Sequence, residues 1–491
     1  MFSYATPSLF QSDLTQARLG LCCDQGRPVE WEARLIRHIP LVRFALRALG
    51  ELIWSSDQDG RGALDPILTV HPDGLMAEAF SSDLTAYGRL WLSPQLYEVR
   101  GTPIWGTTNV DFSSWLWGAL GEMRSSRETW LRLNPQGFSL ETLGAGGRFQ
   151  PKVEVPTEWF RAFLELQGAL TRPCTRLRIP PMDLLAPLRF LRYSKGRLSP
   201  RALRYECHPE GWSIVLEPWE ERFGLRADEG GPERVVRTWG RQRLRLIEPL
   251  LPFAEAVIIR LLGRAMPHFY QVQLPGMSFL LGLTGWGRQS FAVESGYSLL
   301  RGLPQPVEEA ALVAREQELS QKLLSPYQPL DEELVRRGLA LFDLERGQTR
   351  YRPLTLKPLD LSALYPADPR AEEAATLKAT VQECAIQEQR KLKTLTTPQG
   401  QVQRELIFRD WKVQGECQGH PMELVVSERE QILFGRCDCA FFQKHLLSQG
   451  PCSHLLALYE ASREQRGQNL PSSLEVREVP PRQEVGEDGE E

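Results

Sequence analysis

Cys437-Asp438-Cys439 and Cys452-Ser453-His454, separated by the twelve residues Ala440–Pro451, constrain this chain more than any other feature. Three of its nine cysteines and two of its seven histidines fall within these eighteen residues. Thiolates and an imidazole in two closely spaced pairs are the donor set of a tetrahedral structural zinc site. Residues two apart on an extended strand point to the same side, so Cys437 and Cys439 can both face one ion. Cys452 and His454 stand at the mouth of a helix expected over Leu455–Ala461, where unpaired backbone amides can donate to thiolate sulfur. A hairpin pairing Met422–Ser427 with Gln431–Phe434 leads into the first pair, and Gly450-Pro451 breaks the chain before the second. The expectation is a small ββα unit holding one Zn²⁺ through Cys437, Cys439, Cys452 and His454. His445, inside the spacer, is the alternative fourth ligand. Four protein ligands leave no open position for an activated water, so such a site stabilises structure.

The pattern Cys-x-Cys, a spacer, then Cys-x-His followed by Leu-Leu-Ala-Leu resembles the SWIM zinc finger. Its approach strands and the Gly-Pro-Cys-Ser-His run fit that family over residues 405–465. A looser likeness runs from Arg237-Thr-Trp-Gly-Arg-Gln-Arg-Leu-Arg to Leu-Thr-Gly-Trp286, which is similar to uncharacterised bacterial proteins ending in such a finger. The resemblance implies an adaptor that binds protein or DNA. Bacterial relatives of this type are often encoded beside AAA-type ATPases of the MoxR class and von Willebrand A-domain proteins, which implies those as partners.

At 491 residues, the chain has material for roughly three folded units. Its 42% hydrophobic and 24% charged content is that of a globular protein. A net charge of −4 argues against coating nucleic acid or anionic membrane along the whole length. The start, Met1-Phe2-Ser3-Tyr4, lacks a basic and apolar leader, and nine cysteines without one point to reduced thiols and a cytoplasmic protein.

The fold class expected is α+β and multidomain. Residues 1–230 read as a large mixed α/β scaffold with recurring hairpins around Pro72-Asp73-Gly74, Pro135-Gln136-Gly137 and Pro209-Glu210-Gly211. Proline presets φ for such turns and glycine accepts the positive φ that follows. Amphipathic helices are expected over Phe112–Met123 and Thr157–Leu170, and the recurrence hints at a duplicated sheet-plus-helix unit. Residues 231–305 form an Arg-rich helix followed by apolar strands joined at Pro275-Gly276. If helical, Arg237, Arg241 and Arg245 share one face. Residues 306–360 order a helix, Asp331–Arg337, before a hairpin turning at Glu345-Arg346-Gly347, which suits a winged helix. The zinc unit spans 375–466, and the acidic segment 470–491 reads as disordered.

Arginine presents forked donors to phosphate. Arg237, Arg241, Arg245, Arg350 and Arg352 are therefore the candidate nucleic-acid contacts, against solvated or ion-paired arginines as the plainer reading. Phe441 and Phe442, between the ligand pairs, are candidate partner contacts. Gly144-Ala145-Gly146-Gly147 lacks the spaced third glycine of a dinucleotide turn. Asp57-Gln58-Asp59-Gly60 lacks the closing glutamate of a calcium loop. No phosphate-binding loop, nucleophile elbow or His-Glu-x-x-His pair occurs. A non-enzymatic adaptor is the leading expectation, a DNA-binding protein using the finger and the winged-helix-like segment is the second, and an enzyme in the first three hundred residues is the third.

Overall fold

The structure is a computed structural model. It describes residues 2–54, 65–137, 152–194, 200–208, 211–227, 235–263, 266–285, 290–292, 308–321, 330–365, 368–396, 403–427, 430–447, 449–467 and 476–479. Asp57–Gly60, Gly144–Gly147, Arg234, Trp286 and the second strand of the hairpin expected at Pro135 lie outside them. Two compact units emerge, one of Met1–Val293 with Val307–Leu364, the other of Glu294–Pro306 with Tyr365–Glu491. Residues 231–305 and 306–360, expected as separate units, therefore lie largely within the same unit as 1–230. The α+β class holds.

An eight-stranded sheet organises the first unit. Its strands run in the order Thr175–Ile179, Ala256–Leu261, His268–Leu274, Met277–Leu283, Ala86–Leu92, Gly74–Phe80, Ile67–His71 and Gly106–Asn109. Two three-stranded meanders, one spanning 67–92 and the other 256–283, meet edge to edge at the centre. They join antiparallel in the register Leu283↔Ala86 through Met277↔Leu92. This arrangement has the topology of a two-fold repeat. The helix Ile39–Trp54 precedes one meander, and the 3-10 turns Arg241–Leu246 and Glu248–Phe253 precede the other. The hairpins at Pro72-Asp73 and Pro275-Gly276 occur as expected, closing at His71↔Gly74 and Leu274↔Met277. Smaller sheets of five and four strands are interleaved with this one in sequence.

Burial explains why these strands are so uniformly covered. On one face Leu68, Val70, Leu90, Val257, Val272 and Phe279 join a core with Leu41, Val42, Ala45, Leu49 and Leu52 of the helix Ile39–Trp54. The helix forms because its apolar residues recur at three- and four-residue spacing. The other face carries Thr69, His71, Glu78, Arg89, Arg260, Gln271 and Ser278, all of them buried as well.

Part of that polar face is covered by the hairpin Ala340–Asp343 with Gln348–Tyr351 and the segment after it. Gln271 Nε2 donates to Glu345 Oε1 at 2.8 Å, and Ser278 Oγ donates to the same oxygen. Arg350 donates to Asp73 at 2.6 Å and lies over the Trp91 ring at 4.5 Å. Arg352 Nε stands 3.1 Å from Glu78 Oε2, both side chains being 0% exposed. The helix Thr157–Leu170 adds Gln167, whose Oε1 accepts from the Phe342 amide at 2.8 Å. The hairpin expected as a projecting wing is thus folded down onto the sheet. Carboxylates on that face hold its arginines there.

His71 sits inside this interface, and burial first, then the charge of Arg350, pushes its pKa down to about 4. The folded unit keeps it neutral where the unfolded chain, with a pKa near 6.5, takes up a proton. Its contribution is full above pH ~6.5 and is lost as pH falls toward 4, by about 3 kcal/mol. His71→Gln cannot titrate, so the urea midpoint of the variant should fall less than that of the wild type across this window. Equal slopes would remove His71 from the account.

The expected Arg-rich helix is corrected. Val235–Thr238 is a strand paired with Leu203–Glu206, and the chain turns at Gly240, φ 83°, into the 3-10 turn Arg241–Leu246. Pairing of Val236 into the sheet overrides the helical spacing of the arginines.

The second unit is an antiparallel sheet ordered Gln382–Thr396, Gln403–Cys417, His420–Ser427 and Ile432–Cys437. The helices Pro369–Leu377 and Ser453–Gly467 contribute to its core, where Trp411, Val413, Leu424, Leu455, Leu458 and Ala374 meet. Val476–Val479, within the tail expected to be disordered, pairs with Gln403–Leu406. The zinc unit is therefore larger than the ββα motif expected. Among the described residues, no helix is long and apolar enough to cross a membrane.

Candidate metal centre

Local geometry delivers each ligand. Gln418 and Gly419 both take positive φ, 52° and 79°, closing a two-residue hairpin between Cys417 and His420. That hairpin sets the strand His420–Ser427, which pairs Met422 with Cys437 and so fixes where the next strand ends. Cys439 caps the short helix Ala440–His445, its Sγ accepting from the Phe442 amide at 3.4 Å. Cys452 and His454 open the helix Ser453–Gly467.

The four ligand atoms lie within 4.8 Å of one another. Cys437 and Cys452 are 1% exposed, Cys439 7% and His454 9%. Backbone amides of Cys439, Phe442 and Leu455 donate to the sulfurs of Cys437, Cys439 and Cys452 respectively. These donors stabilise negative sulfur, as a metal-bound thiolate requires. A hydrogen bond from Cys452 holds the Cys437 thiol down to about 6, while the same contact pushes Cys452 up. His454 Nδ1 is buried without a hydrogen-bond partner. Three thiols, one imidazole and an unsatisfied ring nitrogen in a closed pocket fit a zinc ion that holds the fold together.

His445 is absent from the cluster. Its ring packs on Phe441 with centroids 4.9 Å apart. His420 is also outside it, but its Nδ1 lies 2.5 Å from Asp438 Oδ1 and its ring 4.7 Å from that of His454. Arg370 is a positioning residue that the sequence did not disclose. Held by Asp368, it donates to the carbonyls of Gln449 and Pro451, at 2.8 and 2.9 Å, and lies 4.9 Å from the Phe441 ring. It thereby ties down the loop that delivers Cys452. Only the capping pattern Asp368-Pro369 near it was readable, since the loop it grips is about eighty residues away.

The two candidate partner contacts, Phe441 and Phe442, differ in burial. Phe442 is 6% exposed in the core of this unit, and Phe441 is half-buried. Its apolar edge turned inward because the short helix packs one face on the sheet. Phe434 and Leu446 are the large apolar side chains that this region exposes among the described residues.

Of the candidate arginines, Arg241 and Arg245 line one groove, and Arg237, Arg350 and Arg352 do not join them there. Arg237 pairs with Glu217 at 2.8 Å, and Arg241 donates to the carbonyls of Ala202 and Glu217. Arg245 stands 3.5 Å from Glu51 and is largely exposed. Arg350 and Arg352 are buried in the ion pairs described above, which removes them from a nucleic-acid surface.

No curated protein matches the chain. Among solved structures, proliferating cellular nuclear antigen from Entamoeba histolytica is similar at 10% identity, over 52% of this chain and 98% of that one, with a TM-score of 0.35. PCNA from Thermococcus kodakaraensis is similar at 13% identity, over 52% and 100%, with the same TM-score of 0.35. A likeness at that level carries no functional weight. Residues 423–462 match the SWIM zinc finger family profile. The match encloses all four clustered side chains, so this part of the chain is a SWIM zinc finger with a structural zinc ion.

Proposed function

We propose that the protein is an adaptor whose zinc-stabilised finger docks a protein partner within a multi-protein assembly. The closed metal centre is the observation that supports this most. Its ligands are at most 9% exposed, so the ion orders a surface and offers no substrate access. The surface charge leans the same way. Residues 401–465 carry seven Lys and Arg against nine Asp and Glu, whereas duplex-binding modules carry a positive excess. The partners proposed are an AAA-type ATPase of the MoxR class and a von Willebrand A-domain protein, on the resemblance of the finger-bearing chain to bacterial proteins encoded beside them.

Phe434 and Leu446, 45% and 61% exposed, replace Phe442 as the proposed anchors, with Phe441 beside them in sequence. Exposed large apolar groups dominate interface energy when a partner covers them. Affinity purification from the source cell, with and without ATP, tests the reading. Wild type should recover such an ATPase or A-domain protein, and Phe434→Ala with Leu446→Ala should lower recovery about tenfold or more while zinc is retained. Recovery of neither protein under any nucleotide condition overturns the named partners. Undiminished recovery by a finger lacking Cys452 overturns the finger as the docking element.

A further inference from the structure

We propose that the first unit binds the phosphate backbone of single-stranded nucleic acid in an arginine-lined groove. The groove runs between the helix Pro181–Tyr193 and the 3-10 turns Arg241–Leu246 and Glu248–Phe253. Its volume is about 1100 Å³, and it is open to solvent along one side. Arg189, Arg192, Arg201, Arg241 and Arg245 line it, against the carboxylates of Glu51 and Glu248. An excess of cations in one concavity, on a chain of net charge −4, calls for an anion.

Some arginines near the groove are matched closely. Arg204 reaches Glu206, Glu217 and Glu220 at 2.5 to 2.6 Å, and Arg226 reaches Asp183 at 2.6 Å. In the groove the pairs are long. Arg192 stands 3.4 Å from Glu248 and Arg245 stands 3.5 Å from Glu51, with the two arginines 67% and 61% exposed. Exposed pairs of this kind contribute little and exchange readily for a stronger anion.

Tyr193 selects the class of nucleic acid. It lines the same groove and is 83% exposed. An exposed aromatic ring offers a stacking face to an unpaired base, which every base can use. Bases in a duplex are stacked on one another and present no such face. Arginines tracking a backbone beside an aromatic platform are the arrangement that holds single strands with little sequence preference.

Fluorescence anisotropy on the full chain with a labelled 20-nucleotide oligothymidylate, and with a duplex of equal length, tests this. The single strand should bind more tightly. With about four phosphate contacts, affinity should fall roughly 50-fold between 50 and 200 mM salt. Arg189→Gln, Arg192→Gln and Arg245→Gln combined should lower affinity at 50 mM salt at least tenfold and flatten that dependence. Tyr193→Ala should weaken the single strand by about fivefold to a hundredfold and leave the salt dependence unchanged. Loss of zinc in Cys439→Ala should leave binding intact, separating the groove from the finger. Arg189→Glu alone gives the same direction should the triple variant fail to fold. The proposal is overturned by no binding at 50 mM salt, by arginine variants that bind as wild type, or by a duplex that binds as well as the single strand.

Discussion

Cys452→Ala should release the zinc ion and unfold residues 420–467 while the first unit melts unchanged. Cys452 is 1% exposed and supplies one of four clustered ligands. Structural zinc contributes on the order of 10–16 kcal/mol to small modules of this kind, more than their cores supply alone. The finger's core is small and includes three ligands, Cys437, Cys439 and Cys452, beside Leu424, Leu455 and Leu458. Losing the ion therefore removes a cross-link between the strand ending at Cys437 and the helix starting at Ser453. Native mass spectrometry should give one zinc per wild-type chain and none in the variant. Hydrogen exchange should then show lost protection across the strands 420–437 and the helix 453–467. A variant that stays protected without metal would mean that packing alone holds this unit. Should His445→Ala lose zinc and His454→Ala retain it, the ligand assignment fails.

Arg352→Met should destabilise the first unit by about 3–5 kcal/mol, the cost of leaving a buried carboxylate without its partner. Glu78 is 0% exposed and lies at the centre of the sheet's polar face, where it also accepts from Tyr87 Oη at 2.5 Å. Removing the guanidinium strands that charge and also removes a cation 5.0 Å from the Phe163 ring. Converting both members, Arg352→Met with Glu78→Gln, should recover most of the loss, because no unpaired charge is then left buried and the Gln oxygen can still accept from Tyr87 Oη. Urea unfolding monitored by tryptophan fluorescence measures both. A single-variant loss under about 1 kcal/mol would show that the pair does not secure the hairpin, since surface pairs reach that value.

How much was readable depends on how far apart in the chain the cooperating residues lie. The hairpins at Asp73-Gly74 and Pro275-Gly276 were legible because a turn is set by two or three adjacent residues. The helix Thr157–Leu170 was legible through its apolar spacing. The Arg237–Arg245 helix was misread because arginine spacing is also compatible with a strand followed by a turn, and Val236 pairs into a sheet whose partners lie thirty residues earlier.

The sequence by itself determined the zinc centre, the α+β class and most of the local turns. Each depends on a chemical pattern confined to a few neighbouring residues, as with Cys-x-Cys and Cys-x-His. Tertiary structure alone decided which cations are spent. Arg350 and Arg352 look like the exposed wing of a hairpin, yet Asp73 and Glu78, more than 270 residues earlier, draw them into the core. It also decided that Arg189 and Arg192 share a groove with Arg241 and Arg245. Electrostatic partnership depends on distance in space, is weakened by solvent and strengthened by burial, and leaves no periodic trace along the chain.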